Sequence, residues 1–347
     1  DLSNLNVFYP STRFSRLVSL SSPLSLCSST ADMTAISAIV VTYNTGPVLA
    51  RSLAALREQD GVAEIILVDN GNPEGAVAAA IGSQTGGPPI HVHEGQGNVG
   101  FAAACNLGAR AATGDILLFV NPDAILPPGG ARRLAADGAS HKEPWLIGAK
   151  IVDPEGGEQR GSRRTTLTPW RAFVETTQLY RLAPRHPYFR RFNLHGDPCP
   201  KEVTPIPVIS GACFCLPRED YFAIGGMDEN YFLHVEDVDF CLRFADAGGV
   251  VLFDPHVSVL HYKSSSNVDP ILVAYRKTVS MRRYFRAHFL DPYPAPFLWL
   301  LGAFLWAQFG VNAAATLLRR AVKPSGSALP APTLQPSPAR RPEISNK

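Results

Sequence analysis

Short apolar runs rich in β-branched residues alternate, along the first half of the chain, with segments whose apolar positions recur every three or four residues. Residues 36–42 (Ile-Ser-Ala-Ile-Val-Val-Thr), 64–69 (Glu-Ile-Ile-Leu-Val-Asp) and 115–120 read as buried strands, and 89–93 as a shorter one. Leu49, Leu53 and Leu56 set a helix over 48–59, and the alanine-rich stretches 76–81 and 102–112 set two more. This alternation specifies an α/β architecture, a mostly parallel sheet flanked by helices on both faces. In such sheets ligands collect beyond the carboxyl ends of strands. Tyr43, Asp69 and Asp123 each stand at or just past such an end. Asp is an ordinary turn former, but its repetition on one rim, together with Tyr43, points to a binding edge.

From Asp153 the pattern changes. Residues 160–207 are basic, aromatic and proline-rich with weak periodicity, and include Arg163, Arg164, Trp170, Tyr180, Tyr188, Phe189 and Phe192. They read as an inserted, mobile binding loop with short helices. A nucleic-acid role is disfavoured, because 32 Lys+Arg stand against 30 Asp+Glu over the whole chain. Strand character returns over 208–216, with Gly211 marking a close backbone approach. A helix is predicted over 218–224, and strands over 250–254 and 257–261, the last ending in His261.

Between these lies 225–243, where five carboxylates (Asp228, Glu229, Glu236, Asp237, Asp239) and His234 crowd together. Like charges this close raise one another's pKa unless a proton or cation is shared. The residues alone leave two readings open: a solvated acidic helix start suited to the helix macrodipole, and a functional cluster.

The C-terminal part is of another kind. Residues 274–288 form a basic helix with Arg276, Lys277, Arg282, Arg283 and Arg286, and 296–318 carry no charge. That run is long enough for a bilayer span and has Trp299, Trp306, Arg319 and Arg320 at or near it. Gln308, Asn312 and several small residues favour instead a helix hairpin or interfacial segment that docks on a membrane by its apolar and basic faces. A plain packed terminal helix is the alternative. Residues 321–347 are Pro- and Ser-rich and are expected to be disordered. The first residues, 1–35, lack a continuous apolar core for a signal peptide; Met33 is expected to be the native start, with what precedes it non-native or disordered. The six cysteines make no paired CxxC pattern and fit a reducing compartment. The organisation expected is a first half over 36–150 that carries the rim, a second half over 151–268 that carries the carboxylate cluster, and C-terminal helices over 269–320.

Neither common Gly-rich phosphate cradle is present, so a diphosphate would need a metal here. Asp123 is a suitable hard-oxygen ligand for Mg2+ or Mn2+. Val41-Thr-Tyr-Asn44, Val68-Asp-Asn70, Asn98-x-Gly-Phe101 with Asn106, Asn121-Pro-Asp123 and Gly225-Gly-x-Asp-Glu…Glu236-Asp237-x-Asp-x-x-x-Arg243 occur in that order. Together they resemble the family 2 inverting glycosyltransferases with the GT-A fold, and most of all the bacterial rhamnosyltransferase-like branch.

The resemblance, which covers roughly 36–289, implies roles. Tyr43 and Asp69 would hold a pyrimidine base, and Asn98 and Asn106 would lie near the nucleotide. Thr42, Asn44, Gly100, Asn121, Gly211, Glu236 and Arg243 would complete the substrate-binding set. Asp123 and His261 would hold Mg2+ or Mn2+, and Asp237 would be the catalytic base. The expected partners are a dTDP- or UDP-sugar donor, rhamnose being one candidate sugar, and a glycan or polyprenyl-linked cell-envelope acceptor. The expected place is the cytoplasmic face of the membrane, as a peripheral protein.

Two departures stand out. Asn121 replaces the first carboxylate of the metal motif, and Gly71-Asn72-Pro73-Glu74 replaces the usual Ser-x-Asp after Asp69. Chemically, a carboxylate can take the proton of an acceptor hydroxyl as the C–O bond forms, and Glu236 and Asp239 are expected to raise the pKa of Asp237 toward working pH. Other readings are a non-catalytic scaffold retaining the fold and a sugar-1-phosphate nucleotidyltransferase. The second lacks its Gly-rich, Arg-containing loop after the first strand. A hydrolase using Glu236 and Asp237 fails because adjacent residues do not straddle a sugar ring.

Overall fold

The computed structural model describes residues 34–82, 84–141, 144–182, 186–262 and 268–322. The expectations for a start at Met33 and for the tail beyond 322 lie outside them.

The first half alternates as the pattern requires: β1 (Ile36–Thr42), α1 (Val48–Arg57), β2 (Val62–Asp69), α2 (Ala76–Gly82), β3 (Ile90–His93), α3 (Phe101–Ala111) and β4 (Ile116–Val120). β1, β2, β3 and β4 are mutually parallel neighbours. Their side chains divide by the two-residue period of a strand. Ala38, Val40, Ile65 and Leu67 pack under α1, while Ile39, Val41, Ile66 and Val68 join the cluster that holds the buried face of α3. A sheet covered on both faces needs apolar residues at successive positions, which is why β1 and β2 read as unbroken apolar runs.

The chain continues through β5 (Ala124–Ile125), α4 (Gly130–Ala139) and β6 (Trp145–Val152). The sequence pattern did not predict α4 or β6. β6 is interrupted by Gly148, where a Cβ would stand 2.7 Å from Ile209, so the strand's apolar signal is broken by a packing requirement.

The 160–207 segment is not a bare loop. It carries β7 (Arg163–Arg164), α5 (Pro169–Thr177) capped by the Thr168 hydroxyl, and β8 (Thr204–Pro205). A buried Arg163–Glu158 ion pair at 2.9 Å anchors it.

Residues 208–216 are not one strand. β9 (Val208–Ile209) pairs with β7 in a separate small sheet, and β10 (Cys213–Pro217) enters the main sheet after a turn at 210–212. β10 runs antiparallel between β4 and β6. Because it descends from the rim, its first residues lie beside the carboxyl end of β4, with Cys213 opposite Val120. α6 (Arg218–Ala223), α7 (Glu236–Asp246) and β11 (Val250–His261) follow. The two strands expected over 250–261 are one, with an irregularity between Asp254 and Ser258. The sheet order is β3-β2-β1-β4-β10-β6-β11-β5, with β8 on β11.

α8 (Pro270–His288) and α9 (Ala295–Val322) close the described chain. The hairpin expected within 296–318 is instead one continuous helix paired with α8. Asn312 and the small residues are all compatible with helix, and no Pro lies beyond the first turn to break it.

Candidate functional site

The carboxyl ends of β1, β2 and β4 form one rim. At the first, the Thr42 carbonyl accepts from Asn70 N–H at 2.8 Å and from Asn72 Nδ2 at 3.1 Å. The Thr42 hydroxyl donates to Thr45 Oγ1 at 2.6 Å, so the side chain is spent on the loop. Asn44 sits at φ 47°, in the left-handed region that Asn tolerates.

At the second end, Asp69 Oδ1 accepts from the N–H groups of Gly71 and Asn72 and from Asn72 Nδ2, all within 2.9 Å. This is turn chemistry, and it occupies one of the two oxygens expected to bind a base. Gly71 is required there: at φ +116°, a Cβ would lie 3.3 Å from the half-buried Tyr43 ring.

Asn70, to which the motif reading gave no role of its own, ties the next loop to this rim. Its Nδ2 donates to Asn98 Oδ1 (3.1 Å) and its Oδ1 accepts from Val99 N–H (3.0 Å). Asn98 Oδ1 also accepts from Gly100 N–H at 3.2 Å. Gly100 then opens α3 at φ +90°, where a Cβ would meet the Phe232 carbonyl at 2.8 Å. Phe101 N–H donates to that carbonyl at 2.9 Å, and Arg276 of α8 lies over the Phe232 ring at 3.4 Å.

The third end carries Asn121 and Asp123. β5 pairs with the end of β11, with Ala124 opposite His261, and this register brings His261 Nε2 to 3.1 Å from the buried Asp123 carboxylate. Gln159 donates its amide N–H groups to the carbonyls of His261 (2.6 Å) and Val152 (3.3 Å). Its Oε1 therefore faces His261 Nδ1 at 3.0 Å and fixes the proton there. The Nε2 lone pair is left facing Asp123, with Asn121 Nδ2 at 3.4 Å. Two acceptors 3.1 Å apart require a proton or a cation between them. An imidazole oriented by a second residue and paired with a carboxylate fits a divalent cation. Among the described residues no three His, Cys, Asp or Glu side chains gather to hold a metal by themselves, so further ligands would come from a diphosphate and water.

Asp237 stands at the start of α7, reached through the turn at 210–212. Gly211 N–H donates to Asp237 Oδ2 at 3.0 Å, and the next residue's carbonyl, Ala212, accepts from Asn121 N–H at 2.9 Å. One turn thus joins the carboxylate on α7 to the Asn121–Asp123–His261 group. Arg164 donates to Asp237 Oδ2 at 2.5 Å, and Val238 N–H to Oδ1 at 2.8 Å. Burial pushes this carboxyl up, but the Arg164 charge and these donors outweigh it and hold Asp237 below its ordinary value. The expectation that its acidic neighbours raise it is overturned. The neighbour takes the shift instead: burial, and the adjacent Asp237 charge, push Glu236 up to about 8. Asp239 does not act on Asp237 as foreseen either, because its charge is taken by His288 and Arg243, at 2.7 Å each.

Three expected substrate contacts lie elsewhere. The Asn106 amide is consumed inside the fold, donating to the Met227 carbonyl and Glu229 (both 2.9 Å) and accepting from Met227 N–H and the Tyr221 hydroxyl. Arg243 pins the 224–226 turn through the Ile224 and Gly226 carbonyls (3.0 and 2.9 Å). Glu236 is 7% exposed, and its Oε2 has no hydrogen-bond partner among the described residues. Arg164 and Gln159, on the other hand, touch the site without carrying any motif signal.

A sequence model described as "Glycosyl transferase family 2" matches residues 37–194. The N-acetylglucosaminyl-diphospho-decaprenol L-rhamnosyltransferase of Mycobacterium tuberculosis (strain H37Rv) is 28% identical over 265 residues, covering 69% of this chain and 81% of the relative. Rhamnosyltransferase WbbL of Escherichia coli (strain K12) is 29% identical over 168 residues, 46% of this chain and 56% of the relative. Among solved structures, a crystal structure of GalNAc-T7 with UDP, GalNAc and Mn2+ aligns with TM-score 0.50 and 19% identity. That alignment covers 73% of this chain and 48% of the other, so this chain spans about half that structure's length. With the mixed sheet and the rim at its carboxyl edge, these likenesses show a GT-A fold whose residues 37–194 match glycosyl transferase family 2 and whose relatives include rhamnosyltransferases.

Proposed function

We propose that the protein moves a sugar from a nucleoside-diphosphate sugar to a glycan or lipid-linked cell-envelope acceptor, with inversion at the anomeric carbon. The observation that carries this reading is the 210–212 turn, which hydrogen-bonds Asp237 through the Gly211 N–H and Asn121, of the Asn121–Asp123–His261 group, through the Ala212 carbonyl. That arrangement serves both ends of an in-line displacement. Asp237 accepts the acceptor hydroxyl proton as the new C–O bond forms. The bond from the anomeric carbon to the diphosphate breaks on the opposite face, and the electron pair leaves with the diphosphate. A divalent cation held by Asp123 and His261 would offset the charge on that leaving group. Tyr43, Asn44 and Asp69 lie on the rim where a pyrimidine base would rest, and Asn98 and Gly100 beside it. Asp69 would offer the oxygen not engaged by its turn.

The donor is read as a dTDP- or UDP-sugar, rhamnose included. A lipid-linked acceptor is supported by the mycobacterial relative, whose name specifies a diphospho-decaprenol. It accords with α9, a long apolar helix of which little is buried, read here as a membrane-docking element at the cytoplasmic face.

Calorimetry with a panel of nucleotide sugars, with and without Mn2+, tests the reading. One dTDP- or UDP-sugar should bind only with the metal present. Asp237→Asn should abolish its transfer and leave donor affinity within about twofold, since a base contributes to the chemical step rather than to donor binding. Folded protein that binds no member of the panel, or an Asp237→Asn variant that still turns over, would count against it.

A further inference from the structure

β7 brings two arginines into the fold, and they have separate tasks. Arg163 is held by Glu158 and the Asp197 carbonyl. Arg164 points to the other face, as strand alternation requires, and its guanidinium meets Asp237. The two side chains of this pair are 11% and 18% exposed. Arg164 is itself fixed from several sides. Its backbone pairs with Val208 of β9 and bridges to Asn193, its guanidinium donates to the Ile209 carbonyl, and it lies over the Phe192 ring at 5.8 Å. A long, flexible side chain restrained this much is an oriented charge rather than a surface cation.

We propose that Arg164 is a positioning residue for sugar transfer: it holds the Asp237 carboxylate anionic and fixed against Gly211, ready for the acceptor hydroxyl. The inference rests on Asp237 being the base, and it gives the 160–207 segment a part in the chemical step.

The other groups around Asp237 make this charge necessary. On α7, Glu236 is the adjacent carboxyl and Cys241 lies one turn on, both with raised pKa values. Asp239 is neutralised by Arg243 and His288 of α8. From α3, Cys105 is held protonated by burial and brings no charge. The turn at 210–212 offers only the Gly211 N–H. Arg164 is therefore the one full positive charge that the described residues direct onto Asp237. Without it, burial would favour the neutral form of Asp237 beside the already protonated Glu236, and the base would be blocked at neutral pH.

The test is a 13C NMR titration of protein labelled at aspartate Cγ, with the Asp237 signal assigned by its loss in Asp237→Asn. In Arg164→Gln the midpoint of that signal should rise by at least one pH unit. Arg164→Lys, which keeps a charge but loses the fork, should move it less than half as far. The acid limb of the pH–rate profile, read with the nucleotide sugar found by calorimetry, should move with it, costing about tenfold per pH unit below the new limb. A merely structural Arg164 would lower the rate equally at every pH. An unmoved midpoint in Arg164→Gln, or a lysine variant shifted as far as the glutamine one, overturns the proposal while leaving Asp237 as base. Full turnover by Asp237→Asn would instead remove the reading on which it rests.

Discussion

Glu236 and Asp237 share a helix start yet sit in opposite protonation states, and partners rather than sequence neighbours decide which is which. Asp237 receives Arg164 and two backbone N–H groups; Glu236 receives burial and the Asp237 charge. The consequence for stability has a definite sign. Glu236 binds its proton more tightly in the folded state, at about 8, than in the unfolded chain, where an ordinary glutamate near 4.5 applies. Folded protein therefore holds more protons through that window, and its stability falls as pH rises from about 4.5 to 8. Glu236→Gln removes the titration. The variant and the parent should melt alike near pH 4, and the variant should gain on the parent as pH rises, by at least ~1.4 kcal/mol at pH 8. Thermal unfolding followed across that range checks this. Melting curves that stay parallel at all pH values would show that Glu236 is ionised in the fold.

At the scale of elements, the acidic stretch is held by side chains that resemble ligand contacts in sequence. Asn106 on α3 clips the 225–229 loop through Met227 and Glu229 and holds α6 through Tyr221, and Arg243 on α7 clips the turn at 224–226. Asn106→Ala should cost about 2–4 kcal/mol, because it leaves the buried Tyr221 hydroxyl without its acceptor and Met227 N–H with only the Tyr221 oxygen at 3.4 Å. Donor affinity of the folded fraction should be unchanged. A loss of affinity with unaltered melting would return Asn106 to the nucleotide site. The same contrast marks what could be read from sequence. β1 and the flanking strands and helices up to β4 were legible to within two residues, because both faces of the sheet are buried and their apolar periods are unbroken. The rim was legible through Tyr43, Asp69 and Asp123, since strand ends in such sheets are where polar residues accumulate. β6, the split of β9 from β10, and the Arg164 and Gln159 contacts were not. Each is set by long-range packing: Gly148 against Ile209, Gly211 against Asp237, and partners 73 and 102 residues apart.

For the molecule as a whole, the question is what covers α9. Its inner side is part of the protein, with Leu301 and Leu305 buried in the core. Its outer side is not: Trp299, Leu300, Val311, Leu317 and Leu318 are exposed, Trp299 by 81%. At 3.6 residues per turn these five fall within an arc of about 120°. The intervening Ala303, Ala307, Gly310 and Ala314 share that arc, so no charge interrupts it. Arg282, Arg283 and Arg286 of α8 line a groove with Val279 and Leu290, and Arg282 lies over the Trp306 ring of α9 at 5.9 Å. An apolar face beside basic side chains fits an anionic lipid surface, to which each nearby Arg adds about 1 kcal/mol. Cutting the chain at 296 would be a poor test, because it would also strip Leu301 and Leu305 from the core. Trp299→Glu with Leu300→Glu and Val311→Glu changes only the outer arc. The full chain should sediment with vesicles containing phosphatidylglycerol and much less with neutral phosphatidylcholine, and added salt should weaken the binding. The triple variant should lose at least about tenfold in partitioning while its melting temperature holds, since each replaced group leaves a lipid-facing rather than a core position. Unchanged partitioning by a folded triple variant would assign the membrane contact to some other face, and α9 would then be a terminal helix that packs by its inner side alone.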